Sequence, residues 1–136
     1  MNLHLLTNAR VVCPGEMIFS GSVLIENGRI AAINPSQTPA DATTFDCANR
    51  LLTPGLIDVH THGIERCCYS YNRPAGEFAE ALLNLPRYGT TCVLPTIVPP
   101  TNPELLAPLV HEMNSLPADG AVVPGLHIEG PFVALG

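Results

Sequence analysis

The second half of the chain alternates short apolar runs with helix-like segments, and this alternation restricts the possible folds more than any other feature. Three runs have the length and apolar character of buried strands: "LIDVH" (56–60), "TTCVLPT" (90–96) and "AVVPGLHIE" (121–129). Strands separated by helical segments of this size are typical of βαβ units, whose strands run parallel. Both faces of such a sheet must be covered. The two helical segments between the three runs are too few to cover both faces, so the sheet is expected to be incomplete.

Helical signals occupy the two segments between these runs. In the first, three apolar residues recur at helical spacing: Phe78, Leu82 and Leu85. Gly89 stands where this helix would end. The second segment begins at "NPE" (102–104), which combines a capping residue, a proline suited to the first turn and an acid. Its expected apolar face consists of Leu105, Leu109, Met113 and Leu116. A proline that predicts a kink lies inside each pattern: Pro86 and Pro108.

The first 52 residues predict a separate, small β-subdomain. Apolar runs at 23–25 and 30–33 flank "ENGR" (26–29). An Asn-Gly pair between such runs is the strongest short-range hairpin signal, because both residues tolerate positive φ. A polar, proline-containing loop follows at 34–43. We therefore expect a β-subdomain over 1–52 and an α/β region over 53–136.

Composition excludes several functions. Hydrophobic residues make up 46% of the chain and charged residues 13%, whereas about 25% charged is usual for a soluble domain; we expect part of the surface to be covered by protein outside this chain. The net charge of −6 argues against a nucleic-acid partner. No run has the length of a membrane span or a secretion signal.

The five cysteines are odd in number and contain no CxxC pair. This usage favours reduced thiols in the cytoplasm over disulfides or a zinc ribbon. The adjacent pair Cys67-Cys68 is predicted to be structural, since neighbouring cysteines bridge and chelate poorly.

The first and third predicted strands both end in residues that bind divalent metals. Because side chains alternate along a strand, Asp58, His60 and His62 share one face, as do His127 and Glu129. The carboxyl ends of parallel strands meet at one edge, which is where barrels of such strands carry their active sites. His60, His62 and Glu129 are therefore candidate ligands for Zn²⁺ or a similar ion. Asp58 and His127 are candidate partners that would orient these ligands.

Each of these signals is weak when taken alone. An isolated HxH pair more often has no metal role than a metal role, and Glu129 could be a satisfied carboxylate in the core. The combination of an HxH pair after a Pro-Gly turn with a glutamate ending a later strand favours the metal site. The remaining histidines, His4 and His111, are predicted to have structural or surface roles.

Three segments carry a resemblance to a known family. "PGLIDVHTHG" (54–63) resembles the first-strand motif of the amidohydrolase superfamily, whose members join a small β-sandwich to a metal-bearing (β/α)8 barrel. "YGTTCVLPT" (88–96) and "GLHIEGPF" (125–132) resemble the narrower family of N-acetylglucosamine-6-phosphate deacetylases. The implied fold class is α/β: an incomplete (β/α)8 TIM barrel, limited to its first three strands over 53–136, preceded by part of the β-sandwich over 1–52.

The resemblance also implies an activity and a set of site residues. A divalent metal, most simply zinc and in one or two copies, would be bound by His60, His62 and Glu129. The substrate would be a small molecule, an N-acetylated amino-sugar phosphate hydrolysed to acetate and the amino-sugar phosphate. The family's catalytic aspartate and its two further histidine ligands lie beyond Gly136. We therefore expect no catalytic residue within the chain, and we expect the chain alone neither to deacetylate nor to hold metal tightly.

The family further suggests a homo-oligomer for the full-length enzyme, with neither nucleic acid nor membrane as a partner.

Two other interpretations stay open. After "HTHG" the family usually continues through more glycines, whereas this chain has the bulkier "IERCCYSYNRP" (64–74). The resemblance implies that this loop borders the substrate pocket. Another amidohydrolase, of the imidase, dipeptidase or deaminase type, is therefore an alternative. The third interpretation is a non-catalytic truncated product, or one that docks to a partner supplying the rest of the barrel.

Overall fold

The computed structural model describes residues 2–69, 74, 76–100, 102–113, 116 and 119–130. The chain divides into two compact units, Met1–Pro54 (unit 1) and Gly55–Gly136 (unit 2). Two parts of the motifs discussed above, residues 70–73 and 131–132, lie outside the described residues. In the described stretches, no helix is both long and apolar enough to cross a membrane.

Unit 1 is built on a single five-stranded sheet. Its strands are β1 (Leu3–Cys13), β2 (Glu16–Glu26), β3 (Arg29–Ile33), β4 (Thr43–Asp46) and β5 (Leu51–Leu52). The order is β3-β2-β1-β4, with β5 also pairing with β1. The first three strands are antiparallel, whereas β4 and β5 run parallel to β1. Residues at even spacing on β1 are buried, as expected for a sheet with one covered face: Leu3, Leu5, Ala9 and Val11. On β2 the neighbours Val23 and Leu24 are both buried.

The predicted hairpin at "ENGR" is confirmed. β2 ends at Glu26 and β3 begins at Arg29, so Asn27 and Gly28 form a two-residue turn. Both have positive φ, 50° for Asn27 and 77° for Gly28. Two positive φ values are the requirement of the type I′ turn, whose twist matches that of the flanking strands.

Unit 2 contains the predicted parallel sheet. Its strands are β6 (Leu56–Thr61), β9 (Thr90–Ile97) and β10 (His127–Ile128), in the order β10-β9-β6. Between β6 and the first helix, β7 (Gly63–Ile64) and β8 (Cys67–Cys68) form a short antiparallel hairpin. The first two predicted strands are confirmed, but the third was predicted too long. Instead of a strand over 121–129, the segment pairs with β9 at Val122 and again only at β10, because Pro124 between them has no N–H to donate to a ladder.

The first predicted helix is confirmed on its buried face. It consists of α1 (Glu77–Asn84) followed by a 3₁₀ turn (Leu85–Tyr88). Its three spaced apolar residues are all buried: Phe78, Leu82 and Leu85. Gly89, with φ 87°, ends the 3₁₀ turn as predicted. Pro86 lies in the 3₁₀ turn, so the change of helix type replaces the predicted kink.

The second predicted helix is partly displaced. Asn102 caps it as expected, since its Oδ1 accepts a hydrogen bond from the N–H of Glu104 at 3.0 Å. The first turn, however, is a 3₁₀ helix (Pro103–Leu106), and α2 follows at Ala107–Met113. A 3₁₀ turn has three residues rather than 3.6, which rotates the apolar face. Leu105 is therefore exposed, contrary to prediction, and Leu106 packs against the core beside the buried Leu109. Pro108 is the second residue of α2, where a missing N–H does not interrupt the helix interior.

The core of unit 2 lies between β9 and these helices. Its buried members are Tyr69, Phe78, Ala81, Leu82, Leu85, Val93, Ile97, Leu109 and Ala121. The rings of Tyr69 and Phe78 meet edge to face, with centroids 5.4 Å apart, an arrangement worth about 0.5–1.5 kcal/mol beyond area burial. This core anchors β9, the strand that lies between β6 and β10.

Candidate metal centre

Unit 2 brings the three predicted ligands together. The Nε2 atom of His62 lies 3.1 Å from Oε2 of Glu129, and the Nε2 atom of His60 lies 3.7 Å from the same oxygen. One donor atom from each residue falls within 4.8 Å of the other two. The side chains are half exposed, at 49% for His60, 54% for His62 and 47% for Glu129. The three donors are therefore close together and open to solvent.

The spacing of the donors suits a small divalent ion. Zinc binds imidazole nitrogen and carboxylate oxygen at about 2.0–2.2 Å in a near-tetrahedral arrangement. Two ligands at that radius lie roughly 3.4 Å from one another. The two His–Glu separations of 3.1 and 3.7 Å bracket that value. Two neutral imidazoles and one carboxylate are also a donor set that zinc and related ions accept, so the residues fit the metal that the resemblance implies.

The end of β6 that carries His60 departs from regular pairing. The register against β9 shifts between Asp58 and Thr61, and the two residues between them have no partner in the ladder. Side chains satisfy the backbone there instead. The N–H of His60 donates to Oδ1 of Asp58 at 3.1 Å, and the N–H of Thr61 donates to Oγ1 of Thr96 at 3.0 Å.

His127 satisfies a third backbone group at this irregularity. Its Nδ1 lies 2.9 Å from the carbonyl oxygen of Val59. Its ring also lies against that of His60, with centroids 4.5 Å apart. Asp58 and His127, predicted to orient the ligands, both lie at this strand end. The hydrogen bond described for Asp58 goes to the backbone of His60 rather than to an imidazole.

The β7–β8 hairpin fixes the chain immediately after His62. The carbonyl of His62 accepts the N–H of Tyr69 at 2.7 Å. Gly63 is required at the start of the hairpin, because a Cβ there would collide with the backbone of Cys67. Cys13, Cys47, Cys68 and Cys92 have free thiols, as the sequence predicted. The loop after "HTHG" thus begins as a tight turn.

Tyr69 was not singled out from the sequence, although it is completely buried beside this hairpin. Burial, together with the neighbouring Cys67 and Asp58, raises the pKa of its phenol to about 12. Its hydroxyl has no hydrogen-bond partner among the described residues. Thr96, 2% exposed, was also missed. The only signal for Thr96 was its place at a strand end, which threonine commonly occupies for its β-propensity alone.

The other predicted residues do not take part in the site. His4 lies on β1, with its ring 5.7 Å from that of Phe45, and His111 is exposed on α2. A polar cavity of about 340 Å³ lies between the β7–β8 hairpin and α1. Its lining includes Arg66, Glu77 and Glu80 but none of the three candidate ligands.

Comparisons with known proteins place these features in context. No family model matches the chain. It is 28% identical to the N-acetylglucosamine-6-phosphate deacetylase of Bacillus subtilis over 143 aligned residues, which cover 96% of this chain and 34% of that enzyme. It is 31% identical to a dihydroorotase of Listeria monocytogenes over 103 residues, which cover 71% of this chain and 22% of that enzyme.

A solved deacetylase structure is similar to this chain in fold. The N-acetylglucosamine-6-phosphate deacetylase of Pasteurella multocida superposes on 98% of this chain with a TM-score of 0.77 and 22% identity, and the match covers 35% of that enzyme. The chain therefore spans about a third or less of the proteins it matches. The predicted resemblance to the N-terminal part of these deacetylases is confirmed, as is the α/β class of the fold.

Proposed function

We propose that this chain forms the N-terminal, metal-binding part of a deacetylase that hydrolyses an N-acetylated amino-sugar phosphate to acetate and the free amino-sugar phosphate. In this proposal unit 2 supplies the first three strands of a (β/α)8 barrel, and unit 1 is part of a β-sandwich. The observation that carries the proposal is the convergence of His60, His62 and Glu129 at the ends of parallel strands. The similarity to deacetylases over nearly the whole chain supports it.

The chemistry follows from the donor set. A divalent metal, which we take to be zinc, would supply a Lewis acid that polarises the amide carbonyl or lowers the pKa of a water molecule. His60 and His62 present Nε2 toward the site and bind as neutral imidazoles, so the only negative charge among the three comes from Glu129. Because each ligand is half exposed, the site keeps room for water and substrate, as catalytic zinc sites with three protein ligands do.

The proton transfers require a residue that the described part of the chain does not provide. By the resemblance, this residue is an aspartate at the end of a later barrel strand, and two further histidines complete the metal site. We therefore propose that the chain by itself is inactive and binds metal weakly.

A second candidate is the hydrolysis of a cyclic amide. The specific observation in its favour is the 31% identity to a dihydroorotase over 71% of the chain. The same three ligands would serve that reaction, because opening a cyclic amide also requires a polarised carbonyl and an activated water. The β7–β8 hairpin directly after His62 would contribute to the choice of substrate in both cases.

The test compares two substrates and two forms of the protein. Release of acetate from N-acetylglucosamine-6-phosphate and opening of dihydroorotate are measured with the protein purified from its source and with the 136-residue chain. We expect acetate release by the source protein, loss of that release in His62→Ala, and no turnover by the chain. Robust turnover by the chain would refute its inactivity, and ring opening without acetate release would favour the second candidate.

A further inference from the structure

We propose that His127 is a positioning residue that holds the end of β6, and with it His60, at metal-binding distance from Glu129. This inference rests on the proposed function, because it concerns the assembly of the same site. It assigns to His127 a role that differs from binding the metal, namely a hydrogen bond that joins two strands across a third.

The topology explains why a side chain is needed. β9 lies between β10 and β6, so no backbone ladder can connect the strand of Glu129 to the strand of His60. The side chain of His127, on β10, crosses this gap and reaches the carbonyl of Val59 on β6 at 2.9 Å. A direct link of this kind fixes the distance between the two ligand-bearing strands.

The irregularity in β6 makes the acceptor available. Val59 and His60 are outside the paired residues of the β6–β9 ladder, so the carbonyl of Val59 is available to a side-chain donor. The histidine supplies the missing donor. Because a carbonyl oxygen can only accept, this hydrogen bond requires a proton on Nδ1 of His127.

The contact extends to the ligand itself. The ring of His127 lies at 4.5 Å from that of His60, tilted by 41°, and so limits the rotation of the ligand imidazole. Glu129 follows β10 directly, two positions after His127, so a shift of β10 moves both the anchor and the carboxylate. Loss of the anchor would let the β6 end shift relative to Glu129, and outer partners of this kind typically change metal affinity by about 10–100-fold.

The experiment is a Co²⁺ titration of the full chain followed by visible absorption, with three variants. His127→Ala removes the donor and the ring. His127→Asn keeps an N–H donor near the position of Nδ1 but removes most of the ring. His111→Ala, on the exposed side of α2, is the matched histidine control. Far-UV circular dichroism of each variant checks that the fold is retained.

We expect His127→Ala to weaken Co²⁺ binding by about 10-fold or more, His127→Asn to recover most of that loss, and His111→Ala to bind as the parent chain does. Equal affinities for His127→Ala and His111→Ala would overturn the inference. So would an asparagine variant as weak as the alanine variant, because the hydrogen bond would then contribute nothing.

A result that contradicts the proposed function can be distinguished from one that contradicts the positioning role of His127. If the parent chain binds no Co²⁺ at millimolar concentration, His60, His62 and Glu129 do not hold a metal by themselves. The link between the strands is then judged by the ¹⁵N spectrum of the histidines and by amide exchange at His60 and Thr61. An Nδ1-protonated His127, with exchange that accelerates in the alanine variant but not in the asparagine variant, supports the positioning role. An Nδ1 atom that carries no proton refutes it.

Discussion

Replacing Thr96 with valine removes a buried hydrogen-bond acceptor while keeping nearly the same side-chain shape. Thr96 is 2% exposed, and its hydroxyl accepts the N–H of Thr61 at 3.0 Å, at the irregular end of β6. Thr61 is also paired with Pro95 in the β6–β9 ladder, so the ladder remains at this residue when the hydroxyl is removed. The net contribution of one hydrogen bond to stability is about 0.5–1.5 kcal/mol, so we expect Thr96→Val to lower the free energy of unfolding by that amount.

The control is Thr96→Ser, which keeps the oxygen and removes one methyl group, at a cost of about 0.8 kcal/mol. Urea unfolding followed by far-UV circular dichroism gives the stability, since the chain has no tryptophan for fluorescence. Hydrogen exchange at the Thr61 amide reports the bond itself, and we expect faster exchange in the valine variant only. A valine variant as stable as the serine variant, with Thr61 still protected, would refute this account of how β6 is held.

Three further predictions concern the metal, a buried phenol and a turn. Zn²⁺ at about 100 times its dissociation constant should raise the free energy of unfolding by about 2.7 kcal/mol, and EDTA should reverse this increase. In thermal unfolding, the Glu129→Gln variant should show little of the stabilisation by Zn²⁺. A variant stabilised by Zn²⁺ as much as the parent chain would exclude Glu129 as a ligand. The raised pKa of Tyr69, about 12 in the folded chain against 10.0 as the ordinary value, contributes stability that is complete below pH 10 and lost as the pH rises through 12. Tyr69→Phe should therefore make the urea midpoint decline less between pH 10 and 12, and a parallel decline in both proteins would contradict this. Gly28 has φ 77°, so Gly28→Ala should cost about 1–2 kcal/mol in urea unfolding; an unchanged midpoint would argue against the type I′ turn.

The features that the sequence predicted well are those determined by neighbouring residues. The buried face of α1 follows from the spacing of Phe78 and Leu82, since a helix repeats every 3.6 residues wherever it lies in the fold. The turn at Asn27-Gly28 follows from the φ values that these two residues tolerate. Both could be predicted because no distant part of the chain is needed to produce them.

The features that could not be predicted depend on contacts between distant segments. The length of β10 depends on where Pro124 lies relative to the ladder of β9. The exposure of Leu105 depends on a 3₁₀ turn, and the local sequence signals for that turn are the same as those for an α-helical turn. Thr96 stabilises a backbone group 35 residues away. Alternation along a strand correctly grouped the candidate ligands, but it contains no information on register shifts, which are set by pairing with the neighbouring strand.

The register shift in β6 also accounts for the geometry of the candidate ligands. In a regular strand, residues i and i+2 are separated by about 6.6 Å along the axis, which is too far for two imidazoles to share an ion without leaning together. The rings of His60 and His62 have centroids 5.4 Å apart, and their donors converge with that of Glu129 within 4.8 Å. An irregularity of this kind bends and twists a strand, and this one includes His60, the first residue of the pair. The same departure from regular pairing that leaves backbone groups for Asp58 and His127 to satisfy therefore also brings the ligands together. A substitution that restored regular pairing at this strand end would stabilise the sheet and weaken the metal site.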